Sequence, residues 1–217
     1  KVVNTIGQLN EALKVEKDKE VISGTGSLEL EFDNAFGSND LILNTQANTT
    51  SNNEVLKVSQ LKYIISNIVL TKEDGSTYTY PKNESYFIID EATGLVPELE
   101  NIPSGNYTKI KFGIGVDKAQ WELGTTGQGD LLTKAEAAEM ISSWTTGYKL
   151  VNFEGTFTSA TVTTDTSFKI HNRQTGSDYN YTEVTLNLPS KAMVRTDITP
   201  EIHIVADVSK IIDGTNK

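Results

Sequence analysis

Polar and apolar residues alternate over most of the chain from about Gly26 onward, the period of strands whose side chains point by turns to a core and to water. In GSLELEFDN, Leu28, Leu30 and Phe32 share one face while Glu29 and Glu31 share the other, which predicts a strand with one wet side. Residues 61–71, LKYIISNIVLT, are apolar on both faces and lead through the turn signal Asp74-Gly75 into the Thr- and Tyr-rich residues 76–80. A central strand followed by an edge strand is expected there, with Pro81 at the exit. Further strands are expected at 86–90, at 107–116 with Ile110, Phe112, Ile114 and Val116 on one face, and at 149–157, 168–171, 181–188 and 201–208. Short strands separated by turn-rich stretches predict an all-β, antiparallel sandwich or barrel.

One interior helix is expected over 134–144. Thr133 and Glu136 have capping-box spacing, Ala137, Met140, Ile141 and Trp144 fall on one helical face, and Gly147 lies just past the end. Residues 1–25 read as a short docked helix or a tether, with Ile6, Leu9 and Leu13 as a thin apolar stripe, and residues 26–217 as one domain. The Asn/Thr/Ser-rich residues 44–53 are expected to form an exposed loop.

Composition narrows the chemistry. The 217 residues include no cysteine, which excludes disulfide scaffolds, thiolate metal sites and cysteine nucleophiles. With 29 acidic against 19 basic residues the formal charge is -10, which opposes nucleic acid and anionic membrane surfaces. No apolar run approaches the length of a transmembrane helix. The chain starts at Lys1 without Met, and a targeting segment upstream of it is expected.

The sequence holds no G-x-S-x-G elbow, P-loop, dinucleotide-binding glycine fingerprint, H-E-x-x-H or EF-hand loop, and a non-enzyme is expected. Asp33, Asp40, Asp90, Glu91, Asp117 and Asp130 fall at strand ends or in loops, where carboxylates could bind calcium. Of the two histidines, His203 alternates with Ile202 and Ile204 and so belongs on an outer face; His171, at a strand end before Asn172-Arg173, is the better ligand candidate. Met140 and Trp144 stand four apart, and a thioether beside a histidine suits Cu(I).

Seven segments in order carry a resemblance: GSLELEFDN, LKYIISNIVLTKEDGS, SYFIIDEATG, NIPSGNYTKIKFGIGVD, SWTTGYKLVNFEGTF, FKIHN and EIHIVADVSKII. Together they resemble the MbnP-like domain family, named for a periplasmic copper-binding protein of methanobactin systems, over about residues 26–212. The resemblance implies an antiparallel β-sandwich of Greek-key or immunoglobulin-like type, exported in a Gram-negative bacterium and in many relatives anchored as a lipoprotein. It also implies that a tryptophan in the segment holding Trp144 is oxidised to kynurenine by a partner dihaem enzyme and binds copper with histidine. Here the relatives' histidine strand reads Ile65-Ser66-Asn67, and Ser142 replaces a second aromatic residue.

Two readings follow. In one, the chain is a non-catalytic cell-envelope binding module that has lost the metal, with Trp121 as an aromatic platform for a glycan or an envelope protein. In the other, His171, Trp144 and Met140 bind copper.

Overall fold

The computed structural model describes residues 22–94, 96–174 and 180–213. The expected helix or tether at the start of the chain lies, up to residue 21, outside them. The strands in chain order are β1 (Thr25–Phe36), β2 (Asn39–Asp40), β3 (Asn48–Thr49), β4 (Val55–Lys72), β5 (Thr77–Thr79), β6 (Phe87–Asp90), β7 (Glu98–Pro103), β8 (Gly105–Ile114), β9 (Lys149–Thr158), β10 (Thr166–Arg173), β11 (Thr182–Val194) and β12 (Glu201–Asp207). Two helices, α1 (Lys118–Trp121) and α2 (Asp130–Ala137), lie between β8 and β9.

These strands form the expected β-sandwich. The smaller sheet joins β1 to β12, β2 and β7, and the larger runs β10-β9-β4-β8-β11 with β3, β5 and β6 also paired to β4. Pairing is antiparallel except between β1 and β12, which run parallel from Glu29–Glu201 to Ala35–Asp207. Leu28, Leu30, Leu99, Ile102, Ile202 and Ile204 of the smaller sheet meet Leu61, Tyr63, Ile65, Ile110, Phe112 and Phe153 of the larger in one buried core. The alternation at the chain's end holds too: Ile202 and Ile204 are buried, while the His203 side chain is 50% exposed.

The central strand is longer than 61–71 and is apolar on both faces for a structural reason. Leu61, Tyr63 and Ile65 face the inter-sheet core, whereas Ile64 faces a second cluster on the outer side of the larger sheet. The register breaks between Ser66 and Val69, where Asn67 takes a φ of 52°, and Ile68 and Leu70 then return to the first core.

Three local expectations change. Residues 44–53 are not wholly exposed, since Asn48 and Thr50 are buried and β3 pairs with β4. Val116 does not share the face of Ile110 and Phe112, because Gly115 at φ 101° turns the chain and Val116 enters the second cluster. A Cβ at Gly115 would lie 2.8 Å from a Leu150 methyl, so this exit excludes a side chain.

The third change concerns the helix, which runs Asp130–Ala137 rather than 134–144. Glu139 adopts a φ of 59°, its N–H bonds to Glu136 O, and the Met140 N–H bonds to Ala135 O at 2.7 Å. This is a Schellman closure with glutamate where glycine is usual, and it stops the helix before Met140. Met140, Ile141 and Trp144 therefore lie on the return segment. Trp144 opens a 3-10 turn, Trp144–Thr146, and Ile141 bridges to Tyr148. Eight residues are too few for a helix to hold itself, and α2 is stabilised by docking Leu131 and Ala135 on the second cluster.

Candidate functional site

The segment between β8 and β9 folds over the outer face of the larger sheet, and three adjoining features lie there. The first is aromatic. The Trp121 and Trp144 rings stack with centroids 4.0 Å apart and planes 9° from parallel. Tyr148 meets both edge-on, at 5.9 Å and 6.2 Å. Both tryptophans are half-buried, while Tyr148 and Met140 are fully buried beneath them in the second cluster. Burial, then the Glu136 charge, pushes the Tyr148 hydroxyl well above the ordinary tyrosine range, so it stays protonated and donates to Gln128 Oε1 at 3.2 Å. Gln128 Nε2 in turn donates to the carbonyls of Gln120 and Gly124, each at 2.8 Å, and so fixes the loop that carries Trp121.

The second feature anchors the segment at its start. Asp117 Oδ1 accepts from Lys82 Nζ at 2.9 Å and from the Gln120 N–H at 3.1 Å, capping α1; Oδ2 accepts from Asn67 Nδ2 at 2.9 Å and from the Tyr86 hydroxyl at 3.2 Å. Burial raises the Asp117 pKa, but the bonds from Asn67, Lys82 and Gln120 outweigh it and hold the carboxyl below the usual range. Asn67 Nδ2 also reaches the Tyr181 hydroxyl at 2.9 Å, and burial pushes that hydroxyl up to about 12. The left-handed Asn67 thus aims its amide out of the bulge in β4.

The third feature is a polar row across four strands. Register places His171 beside Asn152, Asn152 beside Lys62, and Lys62 beside Asp90. Lys62 pairs with Asp90 at 3.1 Å and donates to Ala138 O at 3.2 Å. His171 Nε2 lies 2.7 Å from Glu154 Oε1, with Arg173 Nη2 3.5 Å from its Nδ1. Burial raises the Glu154 pKa, yet the bonds from His171 and Lys169 bring it below the ordinary range. Arg173 also reaches Thr146 O at 3.4 Å and ties this row to the turn that bears Trp144.

The sequence model of the MbnP family matches residues 25–217. The chain belongs to the MbnP family. A structure similar to it is MbnP from Methylosinus trichosporium, at 11% identity and a TM-score of 0.47, covering 82% of this chain and 76% of that one. No curated protein matches the chain.

The MbnP scaffold here brings together residues that the sequence had assigned to different tasks. Trp121, expected as a glycan platform, is stacked on Trp144, expected as a copper ligand. His171 finds its polar partners in Glu154 and Arg173, and Met140 is sealed in the second cluster. The groups named for copper are otherwise engaged in the structure. One imidazole is engaged by a carboxylate and faced by a guanidinium, an indole N–H can only donate, and Ser66 and Asn67 are committed to Gly115 O and to Asp117 and Tyr181. Among the described residues no group of three or more His, Cys, Asp or Glu is arranged to hold a metal ion.

Of the six calcium candidates, Asp33, Asp90 and Glu91 line one cavity of about 180 Å³. Asp90 is taken by Lys62, and Asn34 donates to Glu91 at 2.9 Å while receiving the Tyr63 hydroxyl at 3.0 Å. Asp117 belongs to the anchor, and Asp40 and Asp130 line neither feature. The anchor was the part that sequence reasoning missed. Asp117 stands out in the sequence as a carboxylate, but nothing local marks Asn67 as its partner 50 residues away.

Proposed function

We propose that this MbnP-family chain is a non-catalytic binding protein of a bacterial cell envelope, and that it engages its ligand at the Trp121–Trp144 stack. The observation that carries the reading is the stack itself: two half-exposed, parallel indoles, of which Trp121 sits on a loop fixed by Gln128 and anchored through Asp117. An amphipathic ring held in place loses little freedom on binding, which suits it to the faces of sugars or to an apolar protein side chain. The absence of any nucleophile or metal motif from the sequence agrees with a binding role.

The test pairs a glycan array and an envelope-protein pull-down with the variants W121A and W144F. Stacked indoles couple their transitions, so near-ultraviolet circular dichroism of the wild type should show a couplet that either variant removes. Binding that disappears with W121A supports the site. An empty array together with an empty pull-down, or binding that W121A leaves intact, overturns it.

Copper binding through His171 and Trp144 is the second reading, favoured by family membership and by the Arg173–Thr146 contact that joins the two segments. Stoichiometric Cu(I) uptake, with a mass shift on Trp144, would replace the first reading.

A further inference from the structure

A groove of about 490 Å³ opens between β6 and the last turn of α2, within the range of small-molecule sites. Its walls are largely apolar: Tyr86 and Ile88 on the sheet side, Ala137 and Ala138 on the helix side. Neither Trp121, Trp144 nor Tyr148 lines it, so it is separate from the aromatic stack.

The groove exists because the helix presents alanines where larger side chains would close the gap. Three charged groups face it, Lys62, Asp90 and Lys134, which sum to +1 on a chain whose total is -10. Lys62 is held by Asp90 and by the Ala138 carbonyl. The Lys134 ammonium, exposed on α2, has no ion-pair or hydrogen-bond partner among the described residues. The arrangement is an apolar trough with one uncommitted cation at its rim.

We propose that this groove binds a free, single-chain carboxylate amphiphile, its acyl tail lying along Tyr86, Ile88 and Ala137 and its carboxylate meeting Lys134. The apolar walls disfavour a sugar. Charge complementarity selects an anionic head over a neutral or cationic one, and the open trough selects a chain over a bulky ring system.

Isothermal titration with decanoate as the probe tests this on the whole chain. Decanoate should bind, with affinity falling about two- to fourfold for each methylene removed on going to octanoate. Decyltrimethylammonium should bind at least about tenfold more weakly, as expected for a head of the wrong charge. K134E, a surface change, should erase or reverse that preference, and A137W should block the trough while K134E retains the wild-type melting transition. No heat from decanoate up to about 1 mM, an unchanged head-group preference in K134E, or recruitment to anionic vesicles without decanoate binding would each overturn the proposal.

Discussion

Replacing Asp117 by asparagine changes one atom and tests whether the anchor holds the outer-face segment to the sheet. Each carboxylate oxygen accepts two bonds: Oδ1 from Lys82 and the Gln120 N–H, Oδ2 from Asn67 and Tyr86. An asparagine amide that turns its NH2 to Lys82 and the Gln120 N–H loses both bonds. Turned the other way it opposes the Asn67 amide and keeps a bond to Tyr86 only if that hydroxyl reverses to accept, and in either case the bonds that remain have a neutral partner in place of the carboxylate. Lys82 is half-exposed, and its pair is worth under about 1 kcal/mol. The buried bonds differ by about 1 kcal/mol each between charged and neutral acceptors, and orphaned donors add more. A loss of about 2–4 kcal/mol at neutral pH follows.

Because the folded-state pKa of Asp117 is depressed, its stabilisation is full above the unfolded value near 3.9 and is lost as pH falls through the lower folded value. Urea unfolding of wild type and D117N should therefore show a wide gap in midpoint at pH 7 that narrows below about pH 3.9. A gap under about 0.5 kcal/mol at pH 7, or one that does not narrow in acid, would refute the assignment.

Two further outcomes test the sheets. A Cβ at Gly155 would lie 2.2 Å from Lys57 O and 3.0 Å from the Phe168 ring, and a ladder carbonyl cannot retreat without breaking the β4–β9 pairing. G155A should cost more than about 3 kcal/mol or abolish folding, and a thermal midpoint within about 4 °C of wild type would contradict it. On the smaller sheet, Glu29 is flanked in register by Glu98 and Glu201, and repulsion from Glu31 above all holds the Glu201 pKa above its ordinary value. A raised carboxylate pKa disfavours folding as pH rises past the unfolded value, so E201Q should raise the thermal midpoint at pH 7, with the gain vanishing near pH 4. An equal gain at both pH values would mean that charge is not the cause.

The family scaffold was legible because its signals are local. Alternation in GSLELEFDN and EIHIV assigns inward and outward faces wherever they occur in a strand, and a run apolar on both sides, 61–71, marks a strand covered on both sides. The parallel pairing of β1 with β12 had no such signal, since it joins residues more than 170 apart. The helix end was misread for a different reason. Gly147 offered the usual stop, but the chain turned at Glu139, a residue whose left-handed conformation is stabilised by the Met140–Ala135 bond and by burial of Met140.

That single turn decided the site. It moved Met140 into the second cluster and carried Trp144 round onto Trp121, so two aromatic residues read as independent candidates became one surface. The sequence by itself determined the strand faces, the missing thiol and metal motifs and the acidic coat, because each depends on residue type and short-range period. Only the tertiary structure decided which side chains meet. His171, Asn152, Lys62 and Asp90 form a row, and Asn67 reaches Asp117, through strand register and a bulge, and those depend on the packing of segments far apart in the chain.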